Sequence, residues 1–222
     1  MVASTKLGAD RMSEKAAGAG DEGLHRVIVN SPDVVADDRN PPAEAKIEDT
    51  PNGRRPAGGG WYVLNATEAQ WRALPGWGRS VNFEPDEPRF SELGIHLHVF
   101  QPGEPNCRYH SESQQEDFLV LSGECLLLIE GEERPLKAWD FVHCPPETEH
   151  IFVGAGDGPC VIFMAGSRSK EERPVYPRSE LALRHGAGVE KEVHTGREAY
   201  APFATWKSGR PDFTGLPWGD SS

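Results

Sequence analysis

The sequence predicts an all-β domain, either a sandwich or a closed barrel, on three observations. Residues 93–165 contain six short runs rich in β-forming residues, at 93–100, 117–121, 125–130, 140–144, 150–153 and 160–165. Turn residues separate these runs, as at Pro102-Gly103, Ser122-Gly123 and Pro145-Pro146. The same stretch has hardly any helical pattern. Short strands at regular spacing with such turns are typical of sandwiches and barrels.

The region before these strands predicts a mostly unstructured start. Residues 1–46 are poor in large apolar groups, so they cannot offset their ordering entropy, and we expect a disordered N-terminal extension. A flexible, glycine-rich stretch at 51–60 follows. Residues 61–64 predict a short strand. Residues 67–74 predict a short helix, because Thr67 and Gln70 form a capping-box pattern and Pro75-Gly76 would end it.

The predicted domain organisation has three parts. Residues 47–168 form the β-barrel domain with its N-terminal strand and helix, and residues 169–222 form a C-terminal extension. Within that extension, residues 179–185 predict a short helix that ends at Gly186. The chain from about residue 205 is expected to lie loosely on the surface.

Two of the predicted strands are apolar on both faces. Residues 118–121 and 126–129 show no alternation of apolar and polar side chains, so both sides of these strands should be covered. One face can fill a barrel. The other must meet a second sheet, a terminal segment or another subunit.

Composition and charge exclude several classes of partner. The chain of 222 residues has a formal net charge of -12, which argues against non-specific nucleic-acid binding and against anchoring on an anionic membrane. No apolar run approaches the ~20 residues that cross a bilayer, and no basic segment followed by an apolar core begins the sequence. The cysteines form no CxxC pair, so we do not expect a structural zinc knuckle. Because the sequence shows no secretory signal, we expect reduced thiols and a cytoplasmic protein. The cysteines are Cys107, Cys125, Cys144 and Cys160.

Two stretches of the chain carry residues suited to chemistry. In the first, His110 and Glu112 are two apart, so on a strand they point to the same face, and Glu116 begins the next predicted strand. In the second, Pro145 and a short turn precede His150, which opens another strand.

Both stretches resemble the two conserved motifs of the cupin family. In the first, Gly103, His110, Glu116 and Gly123 match a pattern of Gly, His-x-His, Glu and Gly. In the second, the Pro of Pro-x-Gly and the following His are matched by Pro145 and His150. The resemblance implies a double-stranded β-helix of the jelly-roll type, with short helices flanking it. It also implies a homodimer and a small-molecule ligand.

The sequence departs from the family motifs at four positions, one of which is Asp140, where the Gly that often precedes it is missing. Glu112 stands where the second His of His-x-His is expected, Glu147 replaces the Gly of Pro-x-Gly, and Gly154 replaces a final Asn. The change at Glu112 matters most, because it alters the set of metal ligands that the resemblance implies.

The residues themselves permit a divalent metal site. Imidazole nitrogen and carboxylate oxygen suit Fe, Mn, Zn, Ni or Co. If Glu112 turns away, His110, Glu116 and His150 form a set of two His and one carboxylate, which leaves positions open for water, oxygen or substrate. If Glu112 binds, the site has four ligands and is closer to a Lewis-acid site. The alternative is a barrel without metal, in which these groups bond to one another.

Five further residues are candidates for the pocket lining: His96, His98, Phe118, His143 and Phe152. His96 and His98 share one face of a strand, which either lines the barrel mouth or is an outward polar face. His143 either supports the ligands or is a partly buried His with a backbone partner. Phe118 and Phe152 lie two residues after Glu116 and His150, so each points to the same face of its strand as that ligand. They either line the pocket or fill the core.

The sequence therefore predicts a cupin-domain protein with a divalent-metal site that acts on, or binds, an unidentified small molecule. The resemblance implies dioxygenase, isomerase or lyase types of enzyme, and no catalytic residue is assigned. The alternative is a metal-free module that binds or senses a small ligand without catalysis.

Overall fold

The structure, a computed structural model, describes residues 41–171, 173–203 and 205–210. Most of the segment predicted to be disordered, residues 1–40, lies outside the described residues. The remainder, residues 41–46, is described and leads into the first strand. The described strands are β1 (Lys46–Thr50), β2 (Gly53–Ala57), β3 (Trp71–Ala73), β4 (Arg79–Asn82), β5 (Leu93–Phe100), β6 (Glu116–Ser122), β7 (Glu124–Ile129), β8 (Glu132–Lys137), β9 (Phe141–Cys144), β10 (His150–Ala155), β11 (Cys160–Ser167) and β12 (Lys207–Gly209). The helices are α1 (Glu180–Arg184) and α2 (Gly196–Ala199). Neither of these described helices has the length and apolar character needed to cross a bilayer.

The strands form two facing sheets and a separate hairpin. The larger sheet has seven strands in the order β12-β3-β4-β5-β11-β6-β9, and the smaller has three in the order β10-β7-β8. All pairs of strands are antiparallel, and β1 pairs with β2. Phe100, Phe118 and Ile162 of the larger sheet pack against Leu127 and Phe152 of the smaller one. The all-β, jelly-roll prediction is confirmed.

Both outer faces of the sheets are covered by segments of the same chain. Leu97 and Val99 point away from the barrel interior, and residues 64–71 lie over them. On the smaller sheet, Leu128 and Ile151 pack under α1 and the residues that follow it.

The prediction that both faces are covered is confirmed for β7, where Leu127 faces the core and Leu128 packs under α1. On β6, Val120 faces the core and Leu121 packs against the cluster that contains Leu97. Terminal segments supply the cover, so the apolar faces by themselves do not require a second subunit.

A close approach of two backbone segments explains why Gly154 stands where the second cupin motif has Asn. A Cβ at Gly154 would lie 2.1 Å from the carbonyl oxygen of Gln101, and the backbone N–H of Gly103 donates to the Gly154 carbonyl. Gly154 therefore joins β10 to the turn after β5. Glu147 keeps a left-handed backbone with a φ of 68°, although it has a side chain. That conformation costs an L-residue roughly 1–2 kcal/mol.

The helix predicted at residues 67–74 is wrong. Asn65 accepts hydrogen bonds from the backbone N–H and hydroxyl of Thr67, which closes a single turn there. The chain then extends as β3, because Trp71 is buried and its indole N–H donates to the Ala66 carbonyl. Pairing with β4 and β12 outweighs the local capping pattern.

Other segments outside the six central strands also differ from expectation. Residues 61–64 form no strand, and only Trp61 makes an isolated bridge, to Glu44. The stretch 51–60 contains β2 rather than flexible chain. The C-terminal helix is confirmed as α1, with Ser179 as its N-cap. Residues 207–209 pair with β3 and do not lie loosely on the surface. The domain boundaries at residues 46 and 168 stay predictions.

Candidate metal site

Three predicted ligands converge at one end of the barrel interior. One ligand atom each from His110, Glu116 and His150 lies within 4.8 Å of the others. An isolated antiparallel bridge pairs His110 with His150, which sets their rings 5.2 Å apart. Glu116 enters from the first residue of β6, opposite Cys144 of β9. Three separate parts of the chain therefore supply the three ligands.

Backbone carbonyls hold both imidazoles in the orientation that a metal requires. Nδ1 of His110 lies 2.7 Å from the Arg108 carbonyl oxygen, and Nδ1 of His150 lies 3.0 Å from that of Thr148. Since a carbonyl oxygen only accepts, each Nδ1 carries the proton and each Nε2 keeps its lone pair. Nε2 of His150 lies 3.5 Å from a Glu116 carboxylate oxygen. The two free nitrogens thus face the carboxylate.

Burial keeps both imidazoles neutral. The side chain of His150 is 3% exposed and that of His110 is 13% exposed. Loss of hydration, followed by the neighbouring His150, lowers the pKa of His110 to about 3. Loss of hydration also lowers the pKa of His150. Neutral imidazoles are the form that binds a metal ion, so the site is ready for one at neutral pH.

Glu112 lies beside the three ligands. Its carboxylate oxygen is 3.8 Å from Nε2 of His110, and its side chain is 25% exposed. Its backbone carbonyl accepts a hydrogen bond from the N–H of Glu147, the residue with the left-handed backbone. Glu112 is outside the compact group formed by His110, Glu116 and His150. Its carboxylate lies next to that group without belonging to it.

Aromatic rings enclose the ligands from two sides. Phe118 lies 5.1 Å from His150 and 4.8 Å from Phe152, between ring centres. Both phenylalanines are buried and belong to the central core, and neither lines the cavity beside Glu112 and Glu116. On the other side, Tyr176 stacks on His110 at 5.6 Å.

Tyr176 is a site residue that sequence reasoning missed. It lies in the segment after the barrel strands, far from both motifs, and no local pattern marks it. Burial, with Cys107 and the acidic Glu112 and Glu116 nearby, raises the pKa of its hydroxyl, which therefore stays protonated. Burial also raises the pKa of the Cys107 thiol, whose sulfur lies 3.8 Å from Nδ1 of His110. The thiol is thus a weak metal ligand.

The remaining candidates for the pocket lining separate clearly. His96 lines a cavity of about 220 Å³ together with Glu112 and Glu116. His98 is buried on the same face of β5, next to His96. The structure does not place His143 in the pocket, where the sequence had made it a candidate. Its side chain is 50% exposed, and its Nδ1 lies 2.6 Å from a carboxylate oxygen of Asp117. Strand alternation turns it outward, because its neighbours in β9 face the core.

A sequence model of the family described as Cupin domain matches residues 96–166. This segment runs from β5 into β11 and contains all three converging ligands. The chain contains a cupin domain. Comparison with curated proteins gives no match to the chain.

Several solved structures are similar to this chain at low identity. A sugar phosphate isomerase of the cupin superfamily from Silicibacter pomeroyi is 22% identical, with a TM-score of 0.44, over 64% of this chain and 80% of that one. A Cupin 2 conserved barrel domain protein from Salinispora arenicola is 22% identical, with a TM-score of 0.39, over 44% and 81%. KdgF from Halomonas sp. is 19% identical, with a TM-score of 0.42, over 50% and 97%.

The donor set of the cupin domain fits a divalent transition metal. Two neutral imidazoles and one carboxylate are ligands that suit iron, manganese, zinc or nickel. The carbonyl partners of the two Nδ1 atoms supply the outer hydrogen bonds that orient metal-binding histidines in proteins.

Proposed function

We propose that the cupin domain binds one divalent metal ion through His110, Glu116 and His150, and acts with it on a small molecule in the adjoining cavity. The observation that carries this proposal is the convergence of two Nε2 lone pairs and a carboxylate within 4.8 Å. Carbonyl hydrogen bonds to both Nδ1 atoms support it, since they prearrange the ligands.

The residues around the proposed metal ion suggest a separate role for the ion, for Glu112 and for the neighbouring aromatic rings. The bound metal would act as a Lewis acid toward a substrate oxygen or as a site of oxygen activation. Glu112, at the cavity wall, is placed to take or return a proton at its carboxylate. Tyr176 stacks on the ring of His110, and Phe118 packs against the ring of His150. A carboxylate base beside the ligands favours isomerase or lyase chemistry.

The second candidate function is a metal-free module that binds or senses a small ligand. Its support is the close approach of Nε2 of His150 to Glu116, at 3.5 Å, and of Nε2 of His110 to Glu112, at 3.8 Å. In a metal-free site, a protonated carboxyl at each position would donate a hydrogen bond to the Nε2 lone pair.

Elemental analysis of the purified protein distinguishes the two functions. We expect about one metal ion per chain in the wild type, and its loss in His150→Ala. The matched control is His143→Ala, because His143 is exposed and faces away from the core. Iron would favour oxygen chemistry, whereas zinc, manganese or nickel would favour Lewis-acid chemistry. A folded wild type that stays metal-free after incubation with each of these ions would leave the sensing module as the better account.

We also propose that the protein is a homodimer that pairs through the β9 edge of the larger sheet. Trp139 is 75% exposed and Phe141 is 64% exposed, side by side at this edge. Large exposed aromatic groups at an unpaired edge are typical of association surfaces. Light scattering after gel filtration should show a dimer that Phe141→Glu converts to a monomer, while Val63→Glu, at another exposed position, leaves it unchanged. A monomeric wild type would contradict the proposal.

A cytoplasmic location and the absence of a nucleic-acid partner belong to the same proposal. All four cysteines are free thiols, as expected in a reducing compartment. The net charge of -12 opposes binding to a polyanion. Cell fractionation and a gel-shift assay at low salt would test these two statements separately.

A further inference from the structure

We propose that the β3–β4 face carries a second binding site, at which Arg72 and Arg89 bind an oxyanion group of a small molecule. A cavity of about 210 Å³ lies here, and none of the residues that line it is His110, Glu116 or His150. The site therefore stands independently of the metal proposal.

The cavity concentrates positive charge in an acidic protein. Four arginines line it against two acidic residues, whereas the whole chain has a net charge of -12. The arginines are Arg54, Arg55, Arg72 and Arg89, and the acidic residues are Glu84 and Asp86. A local excess of positive charge in a concave surface attracts anions.

Two of the four arginines form ion pairs with carboxylates. Arg54 pairs with Asp49 and Glu68. Arg55 pairs with Glu48 and Asp86.

Both carboxylate oxygens of Glu84 accept hydrogen bonds from Arg168, at 2.7 Å each. Glu84 is therefore paired with Arg168, and Arg89 lies close enough to interact with its carboxylate electrostatically. Among the described residues, Arg72 and Arg89 make no ion pair with a carboxylate. Their charges are the ones available to a bound anion.

Arg72 is held in place in advance. Its Nε donates to the hydroxyl of Ser80 at 3.1 Å, and its guanidinium lies over the ring of Trp206 at 5.3 Å. Partial withdrawal from water and the nearby Arg89 lower the pKa of Arg72, so the two like charges disfavour each other. An oxyanion between them would relieve this cost. The terminal nitrogens of Arg72 remain for the paired hydrogen bonds that guanidinium makes with phosphate or carboxylate.

A second polar group at the cavity also lacks a partner. The side-chain oxygen of Asn82 is buried and makes no hydrogen bond within the described structure. Asn82 lines the cavity beside Ser80, on the same face of β4. A buried amide oxygen without a partner is unfavourable, because it has lost its hydration and gained no hydrogen bond. Because a carboxamide can rotate to present either oxygen or nitrogen, it can satisfy a ligand hydroxyl or donate to the anion itself.

Isothermal titration at low salt with inorganic phosphate, and separately with acetate, tests this site in the full-length protein. We expect saturable binding of phosphate, and a Kd at least about tenfold higher in Arg72→Gln/Arg89→Gln, since losing two charged contacts removes at least ~1.4 kcal/mol. Binding of phosphate alone would assign a phosphate monoester, whereas binding of both anions would assign an oxyanion site that also accepts carboxylates.

Two controls keep the test specific. Arg134→Gln changes an exposed arginine on β8 that pairs with Glu132, and it should leave phosphate binding unchanged. His150→Ala should also retain phosphate binding, because the cavity does not contain that residue. The proposal fails if neither anion binds saturably, if the double variant binds as tightly as the wild type, or if His150→Ala abolishes binding.

Discussion

Replacing Arg108 with methionine is expected to lower the free energy of unfolding by about 3–4 kcal/mol, because this buried cation ties the C-terminal segment to the barrel. Arg108 is 8% exposed. Its guanidinium lies between the rings of Trp77, at 5.0 Å, and Phe203, at 4.5 Å. The same group donates hydrogen bonds to the carbonyl oxygens of Gly188 and Ala199.

The magnitude follows from these contacts. Two hydrogen bonds from a charged donor contribute about 1.5 kcal/mol each at the lower end of their range. Two contacts between the cation and the aromatic faces add roughly 0.5–1 kcal/mol each. Methionine fills part of the same volume and recovers about 1 kcal/mol by packing its apolar chain. The balance is a loss of about 3–4 kcal/mol, which in a protein of this size lowers Tm by roughly 10 °C.

Urea denaturation followed by tryptophan fluorescence measures this loss, with Arg134→Met as the exposed control. The control should change the free energy of unfolding by less than about 0.5 kcal/mol. A loss below 1 kcal/mol in Arg108→Met would refute the reasoning. We also expect a lower metal content in this variant. Arg108 holds the segment around Ala199, and the hydroxyl of Tyr200 accepts from the Arg108 backbone N–H, close to where Tyr176 stacks on His110.

Four further predictions concern single positions. Glu112→Gln should retain bound metal by elemental analysis, whereas Glu116→Gln should lose it; equal losses would make Glu112 a ligand. Burial lowers the pKa of His96 to about 4, so the folded state resists protonation while the unfolded state takes up a proton below about 6.5. Stability should thus fall by up to about 3 kcal/mol between pH 6.5 and 4, and His96→Gln should lose less in acid urea titrations. Glu147→Gly should raise the unfolding free energy by up to about 1 kcal/mol, since it relieves a left-handed backbone; no gain in Tm would contradict this. Gly154→Ala should cost about 3 kcal/mol or more, because its Cβ would lie 2.1 Å from a carbonyl oxygen, and an unchanged denaturation midpoint would argue against that approach.

Local patterns predicted the central strands well, because their apolar runs and turns are properties of neighbouring residues. β5 coincides with the predicted residues 93–100, and five other predicted runs correspond to β6, β7, β9, β10 and β11. The polar β8 was not predicted, since residues 132–137 carry almost no apolar pattern and are mostly exposed. β3 was predicted as helix because the capping pattern at Thr67 is local, whereas pairing with β12 joins residues far apart in the chain.

The sequence by itself indicated the all-β class, because strand pattern and turns depend on nearby residues alone. Its resemblance to the two cupin motifs indicated the cupin domain and the candidate ligands. Only the tertiary structure decided which ligands meet. It brings His110 and His150 together by a bridge between distant segments, places Glu112 at the margin, and turns His143 outward. It also adds Tyr176 from beyond the motifs. Convergence of this kind depends on strand order and register between sheets, which no local pattern specifies.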